Sequence, residues 1–245
     1  SLGLVIAAGS ASGAHWRHAY LLHGAIFAAL AAAALLLPRS AAAGPRRAPL
    51  ALLAGRAGLP PLRLALAVGL LILLGLGVSV VFPSWLSRHQ GASVGNASRI
   101  LAAANLVMIV GGTLSGLLLA RGVRPATLFT ALAVCGCIAG IGIFMPQPGL
   151  AAIVAALVGW SLCTGAAMAV LAARLPHVAA PEHRAAVAGL LSQSGALLTF
   201  VTPSVWLFAA GTGRWSAPAS IVVVGWFAAA LLLPARGQAP AAAAR

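Results

Sequence analysis

Residues 64–82 read LALAVGLLILLGLGVSVVF, nineteen positions without an ionisable side chain, bounded by Arg63 and Pro83. As a helix rising 1.5 Å per residue, such a run is about 28 Å long, close to the ~30 Å hydrocarbon core of a bilayer. Apolar residues occupy all sides of the run and do not alternate with polar ones. Neither an amphipathic surface helix nor a lipid-facing barrel strand fits that pattern. The stretch is expected to cross a membrane as a helix, and the fold follows from how often it recurs.

Working outward, apolar segments occur at 1–14, 19–37, 64–82, 100–120, 126–145, 150–173, 185–210 and 217–233. All but the first have the length of a spanning helix. The first opens at Ser1, with no basic start or cleavage site of a signal peptide, and is expected to be the end of a helix begun upstream. An Arg- and Pro-rich connection, 39–63, separates the second segment from the third. The expected architecture is an all-α polytopic bundle: 1–38 as the end of one bundle, 39–63 as a central loop, 64–235 as a six-helix bundle, and 236–245 as a tail.

Composition supports lipid as the solvent. Only 7% of the 245 residues are charged and 62% are hydrophobic, with a mean hydropathy of +1.05. A water-facing surface needs roughly 25% charged residues. The net charge of +14 comes from 15 arginines, with no lysine. These sit in the gaps between apolar runs instead of lining one face, so nucleic acid is not an expected partner. Glu182 is the only acid. Paired-carboxylate catalysis, Asp-oriented triads and carboxylate metal cages are thereby removed. Cys135 and Cys137 point about 200° apart on a helix and make no metal clip, and a His15–His18 site lacks further ligands. No catalytic residue, metal or cofactor is expected.

Counted over alternate gaps, eleven arginines fall on one side and four on the other. The rich side, which includes the 39–63 connection and the C-terminus, is expected to be cytoplasmic. The Ala- and Arg-rich, Lys-free composition points to a GC-rich bacterial genome, hence the inner (plasma) membrane. Segments three to five show a long gap then a short one, and segments six to eight repeat that order from the opposite side, as an inverted repeat does.

Particular residues carry a resemblance. Pro83-Ser84-Trp85-Leu86, Gly91-Ala92-Ser93, Asn105, Gly111-Gly112, Gly116 and Arg121-Gly122-Val123-Arg124-Pro125 resemble the seventh and eighth helices of a major facilitator superfamily transporter and the loop that follows. Pro181-Glu182-His183-Arg184, Ala188-Gly189-Leu190, Gly195 and Pro203 are similar to its eleventh helix, and Trp16-Arg17 with Tyr20 to its fifth-to-sixth turn. The resemblance implies family helices five (in part) to twelve, with the opposing N-terminal bundle supplied upstream. The loop Arg121–Arg124 departs from the family by lacking an acid, so an acid-dependent latch there is not carried over.

What the resemblance implies is secondary transport of a small solute by alternating access, with the site at the midplane. Both efflux of a small organic compound and uptake of a small anion fit. Ser192, Gly195, Thr199, Thr202 and Trp206 fall within about 80° of one another on the seventh segment, with a kink expected at Pro203 and Gln193 off the stripe. Trp160, Ser161 and Thr164 group on the sixth segment with Met168. Asn105 shares a face with Gly112 and Gly116, a small-xxx-small pair expected to hold two helices together. Each group has two readings, cavity lining or helix packing. Arg121, Arg124, Glu182 and Arg184 are gating or topology candidates at the arginine-rich side. Proton coupling has no intramembrane acid here, and its site would lie upstream or on a histidine. The alternatives are a different polytopic exporter fold, against which the 39–63 connection speaks, and a non-transporting membrane sensor or assembly subunit.

Overall fold

Gly58 and the pair Pro60-Pro61 start a helix inside what the sequence presents as a connection. A computed structural model describes residues 58–145 and 149–234, with the isolated positions 25, 28, 29 and 32. The segment expected at 1–14, all but those four positions of the segment at 19–37, most of the 39–63 connection and the 236–245 tail lie outside the described residues, as do His15 and His18.

Helix α1 spans Leu59–Gln90, 32 residues. Proline fits its first turn because the amides there lack intrahelical acceptors in any case. The expected span 64–82 is therefore lengthened at both ends, and 59–63 leaves the central loop. The helix also continues through Pro83. One turn beyond, Trp85 and Leu86 are buried, and Trp85 meets Phe144 edge-on at 5.5 Å between ring centroids. That packing outlasts the loss of one backbone bond at the proline. The helix ends at Gly91, whose φ of 66° is the left-handed conformation favouring glycine, and whose amide returns to the Ser87 carbonyl at 3.1 Å.

α2 spans Val94–Ala120, six residues earlier than expected, because the Ser93 hydroxyl accepts the Asn96 amide and caps the start. α3 is Pro125–Phe144 and α4 is Leu150–Val178. A 3-10 turn, Pro181–His183, leads into α5, Arg184–Gly211, and α6 is Ser216–Leu232. Among the described residues every regular element is helical. Five of the described helices are long and apolar enough to cross a membrane. α6 has 17 residues, about 25 Å, the same length as the segment expected at 217–233 and one residue earlier.

α1 and α4 are the most enclosed helices and α5 the least. α2 lies chiefly on α4, α5 chiefly on α1, α3 on α4 and α6 on α1; α1 also meets α4, and α3 meets α6. The second and third helices of each triplet thus rest on the first helix of the other triplet. The two triplets are interlocked, each leaning on the first helix of the other.

Close approach is set by glycine at two places. A Cβ on Gly111 would collide with the Leu162 carbonyl of α4, and one on Gly165 with the backbone of Met108 of α2. Gly111 and Ser115, four apart, are buried on that face. The expected pair Gly112 and Gly116 is one position out: Gly116 is exposed and a Cβ there would meet nothing within 4 Å. One residue is a 100° rotation, enough to move the pair off the seam. At Gly77 a Cβ would occupy the space of the Trp206 indole, whose Nε1–H donates to the Leu73 carbonyl at 3.1 Å.

The last helix is capped from outside. α6 has no basic residue in its last turn. Arg63 Nη2, at the start of α1, donates to the Leu231 carbonyl at 2.6 Å, and Arg174 Nη2, near the end of α4, donates to the Pro234 carbonyl. Cations suit this negative end of the helix dipole. The expectation for Arg174 was a loop charge after a segment ending at 173. It lies instead inside α4 and is 5% exposed.

Candidate functional site

Asn105 of α2 and Ser161 of α4 meet near the middles of their helices, with Thr164 one turn beyond Ser161 and α1, which carries Ser79, packed alongside. The Ser161 hydroxyl donates to Asn105 Oδ1 at 3.5 Å, a long bond. Thr164 donates to the Trp160 carbonyl one turn back at 2.9 Å, and Ser79 to the Gly75 carbonyl at 3.0 Å. A Cβ built on Gly75 would touch the Thr164 methyl at 3.3 Å, which brings α1 against α4 at this level. Hydroxyls satisfied on their own helices keep their oxygen lone pairs. Asn105 is half-buried, and its amide nitrogen, with two donors, has no hydrogen bond among the described residues. The junction carries no formal charge.

Trp160 leaves this group. Its indole is 2% exposed and meets Trp226 of α6 edge-on, at 6.0 Å between centroids, and Trp226 in turn faces Phe129 of α3 at 6.2 Å. Bulky rings here fill the space left by small residues: a Cβ at Gly136 would strike Trp226, and one at Gly140 would strike Val222 and Trp160.

The α5 stripe divides along its length. Gly195, Thr202 and Trp206 turn inward against α1, with the Thr202 hydroxyl donating to the Leu198 carbonyl at 2.5 Å. Ser192 and Thr199 are exposed, as are Gln193 off the stripe and Pro203. The buried arc is centred far enough round the helix that an 80° sector straddles its edge. α5 passes Pro203 as one continuous helix. Around the exposed polar positions stand Leu197, Phe200 and Phe208, 64%, 87% and 80% exposed.

At the arginine-rich end, Arg121, Arg124 and Arg184 are exposed. Glu182 is 69% exposed and lies 4.0 Å from His183 Nδ1. The sequence did not single out the buried hydroxyls of Ser115 and Ser194 or the role of Arg174. Ser115 was findable, since it stands four residues after Gly111; nothing local distinguishes Arg174 from Arg184. Among the described residues no three His, Cys, Asp or Glu side chains gather to hold a metal.

A family model described as Major Facilitator Superfamily matches residues 1–203. No curated protein and no solved structure matches the chain.

Proposed function

The chain belongs to the Major Facilitator Superfamily, a multi-pass membrane family of secondary transporters, and from that premise we propose that the α1–α2–α4 junction binds a small neutral or anionic solute rich in acceptor oxygens. The observation that carries this is the Ser161–Asn105 bond, which occupies Oδ1 and leaves the amide N–H groups as donors. Ser161 and Thr164 are 1% and 3% exposed, so they brace the junction from within and half-buried Asn105 presents the donors. From this chain a cation would find no carboxylate at the junction, because its one acid, Glu182, stands at the helix ends. Uncharged groups also suit a transporter, which must release what it binds.

The other half of the transporter is an upstream helical bundle that covers the open faces of α2 and α5, and the two bundles rock about the junction to expose it to each side in turn. Ser192, Gln193 and Thr199 then face the pathway, since polar groups in hydrocarbon are costly unless they meet water or a partner. The Arg-rich end is cytoplasmic in this scheme, and Glu182 pairs with an arginine across the gap between bundles.

The test is counterflow by the full-length protein in proteoliposomes, with polyols, small carboxylates and small amines as probes. Exchange of polyols or carboxylates, reduced about tenfold or more by Asn105→Leu, is the expected result. Exchange confined to amines, or wild-type rates in the variant, would overturn the assignment.

A further inference from the structure

The arginine-rich end divides into two kinds of guanidinium. Arg63 is bonded to a carbonyl in the last turn of α6 and Arg174 to the Pro234 carbonyl two residues past its end. Arg121 and Arg124 flank the turn from α2 to α3 and are exposed. The turn is tight: Gly122 has a φ of 86°, and the amides of Arg121, Gly122 and Val123 all return to α2 carbonyls. No carboxylate of this chain can neutralise both, since it contains one acid, Glu182, which sits beside His183 at the α4–α5 connection.

Below this turn α3 offers apolar surface. Ala131, Val134 and Ile138 follow at helical spacing on one exposed side, with Val134 56% and Ile138 67% exposed. Two fixed cations therefore stand over a greasy strip that runs toward the membrane centre. The ligand with matching chemistry is an amphiphile bearing a negative headgroup above a hydrocarbon tail.

We propose that the Arg121–Arg124 turn is a binding site for an anionic phospholipid, its phosphate held by the two guanidiniums and an acyl chain lying along Val134 and Ile138. Arginine is suited to phosphate because its planar fork donates two parallel bonds. The arrangement gives the two guanidiniums a lipid counter-ion.

Native mass spectrometry of the full-length protein, exchanged into mixed micelles with equal phosphatidylglycerol and phosphatidylcholine, tests this. The wild type should retain phosphatidylglycerol preferentially. Arg121→Gln with Arg124→Gln should lower the preference by roughly 25-fold, about fivefold per arginine. Arg88→Gln with Arg99→Gln, at the opposite end, should leave it unchanged. The single variant Arg124→Lys, which keeps the charge, should retain most of it and guards against misfolding of the double variant. The proposal fails if the wild type shows no preference, if the Arg121/Arg124 pair keeps wild-type preference, or if the opposite-end pair loses as much. These outcomes are independent of whether any solute is transported.

Discussion

At Gly111 and Gly165 a hydrogen atom decides whether α2 and α4 can meet, because each faces backbone atoms of the other helix. Gly165→Leu forces the helices apart and is expected to cost about 1–3 kcal/mol or more, seen as a lowered Tm or loss of a monodisperse peak. Gly116→Ala should be silent. The sequence revealed that small residues pair α2 with a neighbour but not which ones, since Gly111, Gly112 and Gly116 satisfy the same four-residue spacing or lie one step from it. Trp160 was similarly ambiguous. A tryptophan at mid-span fits either a cavity or a packing hole, and only the opposed Gly140 and Trp226 decide between them. Trp160→Phe is expected to lower Tm by a few degrees while leaving the KM for transport unchanged, in contrast to Asn105→Leu.

Helix α6 depends on side chains from elsewhere in the chain. With Arg174 replaced by Gln, the Pro234 carbonyl loses a charged donor worth about 1.5–3 kcal/mol. Amide exchange over 228–233 should then quicken by roughly ten- to a hundredfold, with α2 unaffected. Arg63→Gln, at a half-buried site, should have a smaller effect in the same segment. The existence and order of the helices were legible because apolar length alone reports a span. Their ends were less so. Pro83 read as a terminator, yet the burial of Trp85 and Leu86 carries α1 past it, and no pattern within 64–82 contains that information. Likewise the six extra residues at the start of α2 follow from Ser93, whose capping role is visible only once the turn at Gly91 is placed.

Across the whole bundle, enclosure is unequal: α1 and α4 are central, while α2 and α5 keep broad open sides. If those sides face a second bundle and a wet pathway, single cysteines in an otherwise cysteine-free protein should sort accordingly. Ser192→Cys and Thr199→Cys should react with a membrane-impermeant maleimide. Thr202→Cys, packed against α1, should not. Equal reactivity at all three would place α5 differently. The repeat of long and short gaps made the two triplets visible in the sequence, but not that they interlock, because which helix leans on which is a property of space and leaves no mark on spacing.

That interlock has a consequence for synthesis. When α3 leaves the ribosome, α4, the support on which α2 and α3 both rest, has yet to be made, and α1 still awaits α5 and α6. The leading half of the bundle must wait in the bilayer, insertion complete and assembly scarcely begun. Docking then arrives late and nearly at once, so a chain arrested after α3 should be far more open to protease than one arrested after α5.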